Sequence, residues 1–300
     1  MGSCRKPTRI DQKGQPALFG TIAASLRGVP ARVVGRHHSD LLHREHRPLH
    51  VGLDQLATGL SHAVIANSEF TRRVMVERES APPAKVRVVY YGLDTEALVP
   101  APPAAIAALR RELGLKEERF VIVVPARLDR AKGHEDLFDA LDMLPSDRAA
   151  RLAVLVAGDG PARVRFERRV QELGLKDVVR FLGHRRDIHL LYQAADLTAL
   201  PSLSEAFGQV LIESLCFGTA VLATSVGGIP EIVEHERTGL LVEPADSRAL
   251  ARAILRYMDD RSLRERTAAA GRTRVRATFD SRQTAHATEA VYAELLGSTR

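Results

Sequence analysis

The chain has 300 residues, 45% of them hydrophobic, with a net charge of +6 and two cysteines. That length allows two domains with separate cores; Cys4 and Cys216 are too few for a disulfide framework and fit a reducing cytoplasm. Aromatics at 5%, with no basic-aromatic interleaving, argue against nucleic acid as a partner, and apolar runs of strand length predict no membrane span.

The opening Met-Gly-Ser-Cys-Arg-Lys-Pro is basic without an apolar stretch behind it, which argues against a signal peptide. Residues 17–26 then read as a helix, 31–34 as a strand, 63–66 as a strand, 70–78 as a helix and 86–89 as a strand. His37 follows the run 31–34, with His38 beside it. His43, His46 and His50 could share a helical face, but no Cys or Asp completes a zinc-ligand spacing, so a polar surface helix is the better reading. Residues 1–100 hold 14 Lys/Arg against 9 Asp/Glu, and the remainder 29 against 28. This imbalance suits an anionic lipid or acceptor. It equally suits a solvated surface, which the lack of a tight basic block favours. A Pro- and Ala-rich stretch at 99–105 marks a hinge.

Beyond residue 119 apolar strands alternate with amphipathic helices. The run 120–124 is continuously apolar, as in a strand covered on both faces. Residues 133–144 form a helix ended by Pro145, 152–157 a strand, and Gly158-Asp159-Gly160-Pro161 lead into a charged helix reaching Gly174. Short strands follow at 178–182, 197–200, 220–224 and 239–242, and from Ser247 onward the chain is helical, with new starts at Arg261 and Ser281. The pattern is α/β, a doubly wound parallel sheet. The expected division is a partial N-terminal domain over 1–98, a hinge over 99–118, a second domain over 119–279, and a helix over 280–300 packing back toward the first. About three strands precede the hinge where a full domain of this kind has five or six, so the first domain is expected to lack its beginning.

The stretch 202–213 carries the chemistry. Glu205 and Glu213 flank a loop that opens a helix, on which Phe207, Val210, Leu211, Ser214 and Leu215 share an apolar spacing. Gly208 lies at the helix start, where free N–H groups and the helix dipole favour an anion. Glu213 falls off the apolar face and can meet hydroxyl groups, so the stretch suits a sugar nucleotide. Ser202-x-x-Glu205 also fits a capping box, in which Glu205 merely satisfies the helix end.

Several further motifs occur in one order: Ala126-Arg127-Leu128-Asp129-Arg130-Ala131-Lys132-Gly133-His134, Ala157-Gly158-Asp159-Gly160-Pro161, Phe181-Leu182-Gly183-His184, Pro201-Ser202 and Gly227-Gly228-Ile229-Pro230-Glu231. Ile65-Ala66-Asn67-Ser68 and Tyr91-Gly92-Leu93-Asp94 precede them. With these, the chain over 17–297 resembles the retaining nucleotide-sugar glycosyltransferases of family 4, which have the GT-B fold of two facing Rossmann-like domains.

The resemblance implies a metal-independent transfer with retention at the anomeric carbon, the leaving phosphate itself taking the acceptor proton. It assigns Arg127 and Lys132 to the diphosphate, Glu213 to the ribose hydroxyls, and Glu205 with Ala206, Phe207 and Gly208 to the donor sugar. Gly183 and His184 would meet the nucleotide base, although a plain strand-ending turn fits them equally. His37 would contact the sugar, with His38 as the competing choice. The residues themselves agree on one point: no two aspartates are spaced by one residue, so the Asp-x-Asp metal pair of many glycosyltransferases has no ligands here. A guanidinium and an ammonium can clamp a diphosphate instead. Gly227-Gly228 reads as a structural turn, with Glu231 a secondary candidate.

No cofactor is expected beyond the nucleoside-diphosphate sugar as co-substrate, and no metal. The acceptor, whether lipid, saccharide or small molecule, is unspecified; a cytoplasmic location is expected, with peripheral contact at an anionic membrane as the alternative to a plain solvated surface. Two departures stand out. Ser214-Leu215-Cys216-Phe217-Gly218-Thr219-Ala220 replaces the usual Ala-Met-Ala-Cys-Gly-x-Pro, and the family's N-terminal glycine-rich loop has no counterpart. The rival readings are a nucleotide-sugar epimerase of the same fold and an inactive donor-binding remnant. A dinucleotide dehydrogenase is disfavoured, because residues 158–163 lack the third glycine of that fingerprint.

Overall fold

A computed structural model describes residues 8–10, 15–37 and 48–297. The chain divides into two compact units, one of 1–92, Glu205–Phe207 and 279–300, the other of Leu93–Ser204 and Gly208–Thr278. His38, His43 and His46 lie outside the described residues.

Among the described residues the first unit has four parallel strands, β1 (Thr8–Ile10), β2 (Arg32–Arg36), β3 (Ala63–Ala66) and β4 (Val86–Val88), adjacent in chain order. The sequence reading finds three of them. Thr8–Ile10 is too short to display a period, and only its pairing with Arg32–Val34 reveals it. Helices α1 (Gln15–Leu26) and α2 (Pro48–Leu60) follow β1 and β2, and His50 lies on α2. Helix α3 (Glu69–Arg73) starts at Ser68, whose Oγ accepts from the Thr71 N–H at 3.0 Å, and continues as a π turn over Val74–Arg78. The C-terminal helix Ser281–Gly297 belongs to this unit, with Val291 packed among Val33, Ala63, Ile65 and Val89. Arg36, the last residue of β2, is buried between Asp54 of α2 and Glu79.

The second unit carries six parallel strands: β5 (Phe120–Pro125), β6 (Leu152–Ala157), β7 (Val179–Gly183), β8 (Leu197–Leu200), β9 (Ala220–Thr224) and β10 (Leu240–Val242). Their order is β10-β9-β8-β5-β6-β7. The chain winds outward from β5 to β7, returns beside β5 at β8 and winds outward again, so β5 and β8 flank the switch point of a doubly wound sheet. Every residue of β5, β8 and β9 is buried. Alternate side chains serve opposite faces. Phe120, Ile122 and Val124 meet Leu137 and Phe138 of α5 (His134–Asp142), together with Phe166, Ile254 and Tyr257. Val121 and Val123 meet Leu109 and Leu113 instead. Burying each large aliphatic side chain contributes roughly 1.5–3 kcal/mol.

That packing corrects the expected hinge over 99–118. Residues Pro103–Glu112 form helix α4, and Leu109 with the adjoining Leu113 is tied into the second core, so the unit begins at Leu93. The longer helices that follow in this unit are α6 (Arg163–Glu172), α7 (Ile188–Ala194), α8 (Gln209–Cys216), α9 (Ser247–Asp259) and α10 (Arg261–Thr278), with single turns at Ser146–Ala149 and Ile229–Ile232. At the switch point the segment after β5 is fastened to the end of β8. Leu203 N–H donates to the Ala131 carbonyl at 2.8 Å, and Gly133, at φ 63°, lies so close that a Cβ there would sit 1.8 Å from the Pro201 oxygen.

Candidate functional site

At the carboxyl ends of β5, β6 and β7 lies a cavity of about 350 Å³, lined by Arg127, Asp159, His184, Arg185, Tyr192 and Glu213 among others. It adjoins the switch point, where ligands of such sheets bind. A smaller cavity of about 170 Å³ opens among Lys116, Arg119, Lys176 and Arg180 and holds none of the expected residues.

Arg127 lies two residues past the end of β5, with its side chain 67% exposed and its Nε 3.1 Å from Asp129 Oδ2. Most of its donors therefore face the cavity and solvent. The other oxygen of Asp129 is buried without a hydrogen bond among the described residues. Lys132 closes the single 3₁₀ turn Arg130–Lys132, just before Gly133. Gly183 ends β7, and its carbonyl accepts the Gly158 N–H at 2.8 Å, which joins the loops after β6 and β7. Next to His184, Arg185 is fixed by a two-pronged bond to Asp187, Nε and Nη2 to the two carboxylate oxygens at 2.8 and 2.7 Å. This fork holds the Asp187 carboxyl below its ordinary range.

Glu213 projects from α8 into the same cavity. Its Oε2 accepts the Tyr192 hydroxyl at 2.9 Å, and no cation pairs with it among the described residues. Burial pushes its pKa up, while the bond from Tyr192 pulls the other way. A half-buried carboxylate without a counter-ion is a strong acceptor for neutral donors such as sugar hydroxyls. Gly208 is the N-cap of α8 at φ 99° and has no side chain of its own to cap the helix. The capping-box reading of Ser202-x-x-Glu205 falls, because the helix begins only at Gln209. The apolar spacing also needs amendment. Phe207 lies outside the helix, and Ile212 and Cys216 are buried along with Leu211, Ser214 and Leu215, leaving Gln209, Val210 and Glu213 as its less buried positions.

Thus Arg127, His184 and Glu213 line one cavity, with Lys132, Gly183 and Gly208 on the loops and helix end of the same unit. The other expected residues belong to the first unit. His37 stacks on Tyr91 at 5.1 Å between ring centroids and bonds its hydroxyl through Nδ1. Ser68 Oγ donates to the Ala206 carbonyl at 2.9 Å, and Phe207 packs with Tyr90 and Phe279 at 5.8 and 5.5 Å. Glu205 is counted in that unit with them. Sequence reasoning misses Tyr192, Asp159 and Arg185 as lining residues. An aromatic within Leu190-Leu191-Tyr192 looks like core on any helix, and only its hydroxyl distinguishes it.

Glycosyl transferases group 1 matches residues 105–274 of the chain by sequence profile, and Glycosyltransferase Family 4 matches 14–97. The D-inositol 3-phosphate glycosyltransferase of Thermobispora bispora is 34% identical over 254 residues, 81% of this chain and 58% of that one. Its namesake in Corynebacterium aurimucosum is 33% identical over 204 residues, 66% of this chain and 48% of that one. The chain spans about half the length of these relatives. A crystal structure of HepE from Anabaena in complex with UDP-glucose matches with TM-score 0.85 at 28% identity, over 94% of this chain and 77% of that one. Sucrose-phosphate synthase from Thermosynechococcus elongatus matches with TM-score 0.81 at 27% identity, over 94% and 72%. These likenesses show the two-Rossmann-domain GT-B fold.

Proposed function

We propose that this chain, which belongs to the glycosyl transferases group 1 family, moves a sugar from a nucleoside-diphosphate sugar to an acceptor hydroxyl with retention at the anomeric carbon. One observation carries the reading: an exposed guanidinium, Arg127, and a half-buried carboxylate, Glu213, line the same cavity beside the switch point. A nucleoside diphosphate needs both, a cation for its phosphates and an acceptor for its ribose hydroxyls. Arg127 and Lys132 neutralise the leaving diphosphate, and the start of α8 adds N–H groups where negative charge develops. No metal is required in this scheme, and the departing phosphate oxygen takes the acceptor proton. Gly183 and His184 meet the base. Glu205, Ala206, Phe207, Gly208 and His37 keep the sugar-binding roles that the resemblance implies.

The HepE crystal structure contains UDP-glucose, so uridine diphosphate sugars are the donors to try first. The relatives named for D-inositol 3-phosphate make an anionic polyol the first acceptor to try. No described helix is long and apolar enough to cross a membrane, and the basic excess in residues 1–100 fits peripheral contact with an anionic surface from the cytoplasmic side.

The test is thermal unfolding of the chain against UDP, GDP, ADP and their common sugars. A ligand at about 100 times its dissociation constant stabilises by roughly 2.7 kcal/mol, which is several degrees. A shift with one base, lost in Arg127→Ala and in Glu213→Ala, supports the reading. A shift that survives both substitutions, or no shift with any nucleotide, rejects it.

A further inference from the structure

The donor cavity contains one buried hydroxyl to which the reaction gives no part. We propose that Tyr192 is a positioning residue, whose phenol holds the Glu213 carboxylate aimed into the cavity to accept the ribose hydroxyls of the donor. This rests on the donor-site reading above and adds to it a residue from a different helix.

Tyr192 stands on α7 and Glu213 on α8, so their 2.9 Å bond ties two helices together at the cavity wall. The tyrosine is 1% exposed, which shields the bond from water. A buried hydroxyl left without its acceptor is costly, so the phenol stays on Glu213 whether or not a ligand is present. It occupies Oε2 alone, and no other hydrogen bond reaches this carboxylate among the described residues. The remaining lone pairs are thus available to ligand hydroxyls. Tyr192 is itself held at two further points. Its ring stacks on Phe217 at 6.3 Å between centroids and 23° between planes, and its carbonyl accepts the Thr219 hydroxyl at 2.7 Å. Phe217 and Thr219 both lie in the segment that departs from the family's usual wording, and Phe217 replaces a cysteine there. At Phe217 the departure thus supplies one support of the tyrosine that orients Glu213, and Thr219 supplies the other.

A consequence in pH separates this role from mere packing. The groups around Glu213 are Tyr192 from α7, Arg127, Asp159, His184 and Arg185 from the loops after the strands, and Cys216 on its own helix, behind which stand Arg272 and Arg276 of α10. Burial opposes ionisation of Glu213 and the phenol favours it. Ribose hydroxyls need the ionised acceptor, so binding weakens as pH falls through the Glu213 titration. Without the phenol that titration moves upward, and binding weakens at a higher pH.

The experiment compares the full chain with Tyr192→Phe, which keeps the ring and its stack on Phe217. The Glu213 carboxyl is followed by ¹³C NMR against pH, its signal assigned by loss in Glu213→Gln, and UDP affinity is measured by calorimetry between about pH 5 and 8. The expected result is an upward displacement of the carboxyl midpoint by about one pH unit and a loss of UDP affinity that is small where both chains are ionised and grows to about tenfold as pH falls through the titration, the scale of one hydrogen bond to a charged group. An unmoved midpoint overturns the proposal, as does an affinity loss that is equal at every pH. If instead Glu213→Gln binds UDP as the unsubstituted chain does, the donor-site reading falls and the positioning role with it. Should Tyr192→Phe fail to fold, Thr219→Val loosens the same tyrosine, and a smaller displacement in the same direction is required; none overturns the proposal.

Discussion

Arg36 and Arg127 occupy the same topological place, the carboxyl end of a parallel strand, β2 in the first unit and β5 in the second. Arg36 is buried, with Nη1 on Asp54 and Nη2 on Glu79, so both ends of its fork are consumed by carboxylates from other elements. Arg127 is two-thirds exposed and, among the described residues, its ion pair is with Asp129 through Nε. Position in the sheet is therefore not enough to make an arginine a ligand-binding group. What decides is whether the fold has already spent its donors. In the first unit the guanidinium is a cross-link that fastens β2 to α2 and to the turn at Glu79, and His37 follows directly on it. In the second, most of the guanidinium's donors are left open to the cavity and solvent.

The sharpest way to break this contrast is to remove each side chain in turn. Arg36→Met takes the guanidinium away from two buried carboxylates, and stripping one member from such a cluster costs about 3–5 kcal/mol. Replacing Arg36, Asp54 and Glu79 together by apolar residues of similar volume should recover most of that loss, since the cost lies in the uncompensated charges rather than in the missing bonds. Arg127→Met should change the stability of the ligand-free chain by no more than about 0.5 kcal/mol, as for an exposed pair. Urea unfolding of the three variants measures all of this. Equal losses for Arg36→Met and Arg127→Met would erase the distinction.

The second unit has a buried polar group of its own, and it lacks the pairing that protects Arg36. His134 is fully buried at the start of α5, stacked on Phe166 at 5.0 Å, and neither ring nitrogen has a hydrogen bond among the described residues. Burial, with a smaller push from Lys132, lowers its pKa from the ordinary 6.5 to about 4. Between those two values the unfolded chain takes a proton that the folded chain refuses. Stability is thus complete above pH 6.5 and is lost as pH falls toward 4, by about 3 kcal/mol in all. Thermal unfolding at the two ends of that window should show the difference. In His134→Phe, which keeps the stack and cannot titrate, this part of the acid sensitivity should vanish; its persistence would assign the loss to other groups.

How much of this was readable in the chain depends on how local the signal is. β5, β6, β8 and β9 are legible because strands covered on both faces are continuous apolar runs. Thr8–Ile10 is not, since three residues show no period and its neighbour in the sheet lies beyond a helix. Arg127, His184 and Glu213 are legible through motif order, each being a chemically distinctive residue at the end of a strand or on a helix face. The Arg36 cluster is invisible, because its partners sit on other elements at separations that no repeat spans. Tyr192 is invisible for the opposite reason: its neighbours make it look like ordinary core. Ser202-x-x-Glu205 shows a local pattern overruled, because the helix it would cap starts later, after a left-handed Gly208.

The mildest test concerns a pair with better geometry than either arginine above. Arg165 on α6 meets Glu135 on α5 with two parallel bonds, Nε and Nη2 to the two oxygens at 2.8 and 2.9 Å. By hydrogen-bond count it rivals Arg36. Yet the two side chains are 51% and 31% exposed, so water competes for every donor and acceptor and salt screens the attraction. Glu135→Gln should therefore cost only about 0.5 kcal/mol, and less in high salt. A loss comparable with Arg36→Met would mean that bond geometry outweighs burial in fixing what an arginine is worth. The expected small loss means the reverse, and it is the same physics that makes the exposed Arg127–Asp129 pair worth little to stability.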